Sequence, residues 1–377
     1  MAEVIELLKR LVSIPSVNPA LDPAGAGETE LARFVQGWCA GRGLETHWLE
    51  PTPGRPSVVA VARGRGGGRP LMLYAHLDTV GVEGMSEPFG PRVEGGFLYG
   101  RGACDMKAGL AAGLRALEFA ARSGLAGDVL LAAVSDEEHG SIGMESVLER
   151  FRADAAILTE PSSLELCLAH RGFAVYEFRI EGRASHTSQP HLGANAVTAL
   201  GRLLGAIERL DERLRSQTPH PLLGHGSAQA VLASGGGELF TTPSAARLSY
   251  ERRTLPGETP SQLARELDGL LEAARAGDGG IGVRWRELIR REPFETGADS
   301  QIARTVAGAA AQLRGEAPRV VGAPYWMESA LLAEAGIPAV VYGPTPHGIH
   351  AADERVSTDE VLHLEALLRR CAAEFCA

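Results

Sequence analysis

Residues 71–78 read Leu-Met-Leu-Tyr-Ala-His-Leu-Asp. Five apolar residues of strand length run straight into His76, and Asp78 follows two positions later. The same design recurs twice. DVLLAAVS (128–135) runs into Asp136 and Glu137, and AAIL (155–158) runs into Thr159 and Glu160. An Ala- and Leu-rich stretch at 107–122 with helical character separates the first two runs. Apolar strands alternating with helices, each strand ending in polar residues, predict an α/β fold whose site lies at the carboxyl ends of the strands.

Outward from there, Val4, Leu7, Leu8, Leu11 and Val12 share one face of a predicted helix at 3–13, which Pro15 stops. A second amphipathic helix is expected at 28–42 and a short strand at 58–62. The character changes near residue 172. An alternating strand at 175–181 is followed by a helix at 194–214, strands near 229–233 and 245–253, a helix at 260–276 and a strand at 281–290. That order suits a small antiparallel sheet with helices on one face. The α/β pattern then returns, with helices at 299–313, 328–335 and 358–374 and a strand at 338–342. The expectation is a mixed-sheet α/β domain with helices on both faces, residues 1–171 and 292–377, interrupted by an inserted α+β (ferredoxin-like) domain at 172–291.

The 377 residues carry a formal charge of -10, which argues against a generic nucleic-acid or anionic-membrane binder. No run of about 18 apolar residues predicts a membrane span. The five cysteines, Cys39, Cys104, Cys167, Cys371 and Cys376, show no disulfide or zinc-ribbon spacing and read as reduced thiols of a cytoplasmic protein. The Gly-rich runs at 64–68 and 235–237 open no helix with a phosphate-binding fingerprint. Lys9 and Lys107 are the only lysines, and Lys107 lies inside GRGACDMK (100–107).

Five polar clusters carry the chemistry: His76-Leu77-Asp78, GRGACDMK, Asp136 to His139, Thr159-Glu160-Pro161, and GIHAADE (348–354). Each has a bland reading. A lone His after a strand is usually structural, Asp105 suits an N-cap, and adjacent acids at a turn are usually solvated. In extended chain, though, Asp78 faces the same side as His76 and can bond the ring nitrogen that a metal does not use. Asp105 has two oxygens with which to bridge two cations. Lys107 is either a surface residue or a neutraliser of nearby carboxylates. Glu137 and Glu138, at a strand's end, would repel each other unless cations are present. Together these residues form an N/O ligand set suited to zinc, cobalt or manganese.

In order, HLD, GRGxxDMK, the EE pair, TEP, GxxxHxxxP and a final HxxDE resemble the metallopeptidase family that contains acetylornithine deacetylase, succinyl-diaminopimelate desuccinylase, aminoacylase and carboxypeptidase G. The resemblance implies two divalent ions, zinc first and cobalt or manganese as alternatives. His76 and Glu160 would hold one, Glu138 and His350 the other, and Asp105 would bridge them. Asp78 would orient His76, and Glu137 would be the general base. A cis peptide is implied between Asp105 and Met106. GRASHTSQPHLGANAV (182–197) resembles the family's lid motif, making His186 the oxyanion donor across a homodimer formed through the lid. Asn195 is implied as a substrate contact, and Arg253 in ERRTLPGE as the partner of a substrate carboxylate. Three positions depart from the family's habit: Glu251 and Glu328 where Asp is common, and Phe240 where Asn is usual.

The expected function is therefore hydrolysis of the amide bond of an N-acyl amino acid, with a carboxypeptidase or dipeptidase as the alternative. Glu160, in place of Asp, is similar to the deacetylase and desuccinylase members. Cations would acidify a water, Glu137 would take its proton, and His186 would hold the developing charge. A binding protein that kept only the fold would have lost a ligand or the base, and a nucleic-acid module would need a basic patch.

Overall fold

In the computed structural model, residues 2–277 and 280–377 are described. The predicted span 172–291 includes Asp278 and Gly279, which lie outside them. The chain divides into two units. The first holds the residues up to Leu168 together with Thr296–Val321 and Leu331–Ala377. Its mixed sheet runs in the order Glu45–Leu49, Ser57–Ala62, Val129–Val134, Leu71–His76, Ala155–Leu158, Ala339–Val341, Leu166–His170. The four strands from Val129–Val134 to Ala339–Val341 are mutually parallel, and the pairs flanking them are antiparallel.

Every residue of Ser57–Ala62, Leu71–His76, Val129–Val134 and Ala155–Leu158 is buried. Side chains alternate between faces along a strand, so burial of all of them means that both faces are covered. Helices Glu3–Val12, Thr29–Ala40, Ala108–Ser123, Ile142–Arg150, Gln301–Arg314 and Thr358–Phe375 supply the cover. Parallel strands end on the same side, so the residues after Leu71–His76, Val129–Val134 and Ala155–Leu158 meet at one edge of the sheet.

A small antiparallel sheet supplies what the apolar pattern does not foretell. Arg92–Glu94 pairs with Phe97–Tyr99, which pairs with Arg355–Ser357. These strands have three residues each, too short for a periodic signal, yet they join the chain before Gly100 to the chain after His350. The edge strand Glu45–Leu49 and helix Ile142–Arg150 also lie outside the elements the pattern predicts. All five cysteines are free and buried. Among the described residues no helix is long and apolar enough to cross a membrane.

The second unit holds Ala169–Glu295 and Gly322–Ala330. Its sheet order is Ser227–Gly235, Ala245–Thr254, Gly172–Glu181, Gly282–Arg291, antiparallel throughout. Ala174, Tyr176, Phe178 and Ile180 point to one face and pack with Leu203, Ile207, Leu210 and Leu214 of helix Ala196–Ser216 and with Leu267 and Leu270 of helix Pro260–Arg275. The other face is polar, with Glu177 paired to Arg179 and Arg286. Thr259 and Gln262 close a reciprocal capping box on helix Pro260–Arg275. Gly322–Ala330 is tied into this unit by Trp326, whose ring nitrogen donates to the Glu292 carbonyl at 3.2 Å, and by Ser329, 2.9 Å from His170 Nε2.

Helix Ala108–Ser123 begins so close to the strand end at Thr159 that Gly109 has no room for a methyl group. A Cβ there would lie 2.7 Å from Thr159 Cβ and 3.0 Å from its carbonyl oxygen. Gly37, in helix Thr29–Ala40, has nothing within 4 Å. Gly109→Ala should lower the unfolding free energy by about 1–3 kcal/mol through overpacking. Gly37→Ala should raise it by about 0.5–1 kcal/mol through helix propensity. Urea titration of both variants checks the pair, and equal effects would contradict this packing.

Candidate active site

His76 ends its strand almost wholly buried. Its Nδ1 is 2.9 Å from the main-chain carbonyl of Asp78, and its Nε2 is 3.2 Å from Asp105 Oδ1 and 3.8 Å from Glu160 Oε1. The carbonyl acceptor leaves Nδ1 as the donor and Nε2 as the lone-pair nitrogen in the neutral ring. The carboxylate of Asp78 does a different job from the ring contact expected of it, since its nearest oxygen is 3.7 Å from Nδ1. Instead Oδ1 accepts the N–H of Glu137 and Oδ2 the N–H of Glu138, each at 3.1 Å. Asp78 therefore orients the ring through its backbone and the acid pair through its side chain.

Asp105 lies in the turn Ala103–Lys107, and the Asp105–Met106 peptide is cis. Its two oxygens face two imidazoles. Oδ1 is on the His76 side, and Oδ2 is 3.3 Å from His350 Nε2. His350 Nε2 is also 3.3 Å from Glu138 Oε2. Ligand atoms of His76, Glu137 and Glu160 lie within 4.8 Å of one another, as do those of His76, Asp105 and Glu138. Thus six residues drawn from five distant clusters meet in the first unit.

Two further features hold this arrangement, and neither is recognisable from its residue type alone. Glu354, fully buried, accepts the N–H groups of Gly102 and Cys104 at 2.9 Å and of Asp105 at 3.1 Å, and it takes a charge-assisted bond from Arg101 at 2.7 Å. It thereby fastens the His350 segment to the Asp105 turn. Its place in the HxxDE spacing is the only signal the sequence carries. Lys107 is not a surface residue: it is fully buried, and its Nζ donates to the Ile14 carbonyl at 2.8 Å. Burial pulls its ammonium down to about 7, against the pull of Glu354.

The electrostatics follow from crowding carboxylates in a dry place. Burial pushes the Glu138 carboxyl up, although its bond to His350 opposes this. Burial also raises Glu354, with the Asp105 charge adding to it. Hydrogen bonds to Asp105 and Glu138 lift the His350 imidazole up to about 10. Burial opposes a charge on His76, but Glu160 and Asp105 outweigh it and hold the ring well above its ordinary range. Burial works against ionised Asp105 as well, yet the same two imidazoles keep it well below the usual carboxylate range. Positive charge is what this cluster lacks. Buried Glu138 Oε1 has no hydrogen-bond partner among the described residues, so one ligand-grade oxygen stands ready. Imidazole and carboxylate donors at these spacings fit divalent cations of the zinc, cobalt and manganese type.

The remaining expected residues belong to the second unit. His186 is exposed, with Nδ1 accepting the Ser188 N–H at 3.2 Å and lying 2.7 Å from Ser188 Oγ. Asn195 is the N-cap of helix Ala196–Ser216: its Oδ1 accepts from Val197 and Thr198 at 3.0 Å, which leaves only its Nδ2 for a ligand. Arg252 is buried against Glu266 and Glu258, whereas Arg253 is partly exposed, bonded to Glu251 at 2.7 Å and lying over the Phe173 ring. The two neighbouring arginines are thus separated by strand alternation.

The model of "Peptidase family M20/M25/M40" matches residues 72–374. The chain is also 30% identical over 334 residues to an acetylornithine deacetylase of Myxococcus xanthus, covering 85% of this chain and 84% of that one. The chain belongs to peptidase family M20/M25/M40. Among solved structures, it is similar to the aminopeptidase PepT of Bacillus cereus, with a TM-score of 0.81 at 17% identity, covering 99% of this chain and 98% of that one. It is similar too to a dinuclear metal binding peptidase from the M20 family of Bacillus subtilis, with a TM-score of 0.75 at 16% identity, covering 99% and 97%. As a member of the M20/M25/M40 family the chain is a metal-dependent hydrolase acting on amides of amino acids or peptides.

Were the two imidazoles cation ligands, binding would have to displace the protons that Glu160, Asp105 and Glu138 hold on them. Filling the metal-stripped site at neutral pH should release about two protons per chain, and cation affinity should fall as pH drops. The sign follows from the raised imidazole values: below them the rings carry protons that compete with a cation. Calorimetry in two buffers of different ionisation enthalpy measures the count, and zero release would contradict the assignment.

Proposed function

We propose that this M20 enzyme hydrolyses the amide bond of an N-acyl amino acid, as a deacylase of the acetylornithine deacetylase kind. The observation that carries the reading is its 30% identity to the Myxococcus deacetylase across most of both chains. In this reading, His76 and Glu160 would hold one cation, Glu138 and His350 would hold a second, and Asp105 would be shared between them. The Asp105 contacts with both imidazoles support that division. A second cation also accords with the dinuclear peptidase of like fold. Zinc is first in this proposal, with cobalt or manganese as alternatives.

Bound cations supply an acidified water and Lewis acidity toward the carbonyl. The protein's side chains then handle the protons. Glu137, its N–H fixed by Asp78, takes a proton from water and returns it to the departing amine. His186 accepts at Nδ1 from Ser188 N–H, so its neutral ring carries hydrogen on Nε2, the donor an oxyanion needs. In the homodimer we propose, formed through the second unit as lid, this donor crosses the subunit boundary. Arg253 offers its guanidinium to the substrate carboxylate in exchange for Glu251. Asn195 offers only its amide hydrogens. The buried, free thiols support a cytoplasmic setting.

Glu137→Ala should cut kcat by about 10²–10⁴-fold while bound metal stays at the parent level. Full turnover in that variant would remove Glu137 from the mechanism. Arg253→Ala should raise KM by about tenfold or more, with a far smaller change in kcat. A panel of N-acetyl and N-succinyl amino acids beside dipeptides, on zinc-, cobalt- and manganese-loaded enzyme, tests the substrate class. Preference for dipeptides would replace the deacylase reading with a dipeptidase or carboxypeptidase of the same family.

A further inference from the structure

A single buried amide stands behind the acid pair. Asn18 lies in a segment that runs beside Asp78 and Thr79: its N–H donates to the Thr79 carbonyl at 2.9 Å, and the Thr79 N–H donates to the Ser16 carbonyl at 3.0 Å. The side chain is fully buried. Nδ2 lies 2.8 Å from Asp78 Oδ2 and 3.0 Å from Asp136 Oδ1. Oδ1 accepts the Ala20 N–H at 2.9 Å. These neighbours fix the amide's orientation, because two carboxylates can only accept and an N–H can only donate. Farther out, Arg55 donates to Asp136 Oδ1 at 2.7 Å and grips both oxygens of buried Glu28.

Asp78 and Asp136 are the two residues on which the acid turn depends. Asp78 receives the N–H groups of Glu137 and Glu138. Asp136 opens the turn with φ 68°, and its carbonyl accepts the N–H groups of Gly140 and Ser141. Both carboxylates are buried, and a carboxylate has a broad torsional preference about its last bond, so something must hold each in place. One amide, spending one hydrogen on each, does so without adding a charge. An N–H2 group is the only part of Asn that can do this.

We propose that Asn18 is a positioning residue, which fixes the turn carrying Glu137 and Glu138 by donating both amide hydrogens, to Asp78 and to Asp136. The effect on turnover rests on the roles proposed for those glutamates; the effect on the turn does not.

Asn18→Asp separates the two halves of the side chain, since it keeps the acceptor for Ala20 and removes both donors. Hydrogen exchange by mass spectrometry on chelator-stripped protein reads the turn without substrate or cation. The segment 135–140 should exchange about tenfold faster or more, with distant segments unchanged. In the metal-loaded enzyme kcat should fall about 10²-fold, with KM held within about threefold. Should the single variant not fold, Asn18→Leu, of similar shape, removes both donors without adding a charge, giving up the acceptor for Ala20 as well. The same two changes are expected in that variant. Parent-like exchange at 135–140 overturns the inference whatever the turnover. Faster exchange with turnover intact leaves it standing and removes the proposed roles of Glu137 and Glu138 instead.

Discussion

Carboxylates brought together out of water repel one another, and the first unit is organised around that constraint. Asp105, Glu137, Glu138 and Glu160 gather about His76 at the end of one buried strand. Like charges at this spacing are tolerated only where positive charge compensates them. The imidazoles of His76 and His350 do so while protonated, and divalent cations do so when bound. The pushed-up values of Glu138 and the two rings are the same constraint expressed in proton affinity. The family's dependence on metal and the arrangement of its acids are therefore one fact.

Such a cluster needs rigid support, and the support is built from hydrogen bonds that leave the ligand oxygens unspent. Asp78 takes two N–H groups of the acid turn, and Glu354 takes three from the turn around Asp105. Both are anionic acceptors of backbone donors, which is the stronger class of hydrogen bond. Each joins segments far apart in sequence. The clustered imidazoles and carboxylates are thereby spared from also holding the loops in place.

Much of this was legible because the parallel strands announce themselves. The runs at 71–75, 129–134 and 155–158 are wholly apolar, as strands buried on both faces must be. A polar residue directly after such a run sits at the sheet's edge by construction, which located His76, Glu137, Glu138 and Glu160. The position of His350 was legible only through motif order, because a loop and three strands of three residues bring it to Asp105. Spacing gave the right face for Asp78 but the wrong atom, since the i, i+2 rule is silent on whether a carbonyl or a carboxylate makes the contact. Lys107 and Asn18 were opaque for a related reason. Polar residues are usually exposed, and only the packed structure reveals donors buried against carbonyls and carboxylates.

The five cysteines bear on how the molecule behaves under oxidants. Each is sequestered in the interior, and burial lifts Cys39 up to about 12 and Cys376 up to about 11. At neutral pH almost none of either exists as the reactive thiolate. A disulfide reagent can reach them only through openings of the fold, so the pace of thiol labelling becomes a clock for those openings. The chain carries its own reporter of conformational opening, with no probe to be engineered in.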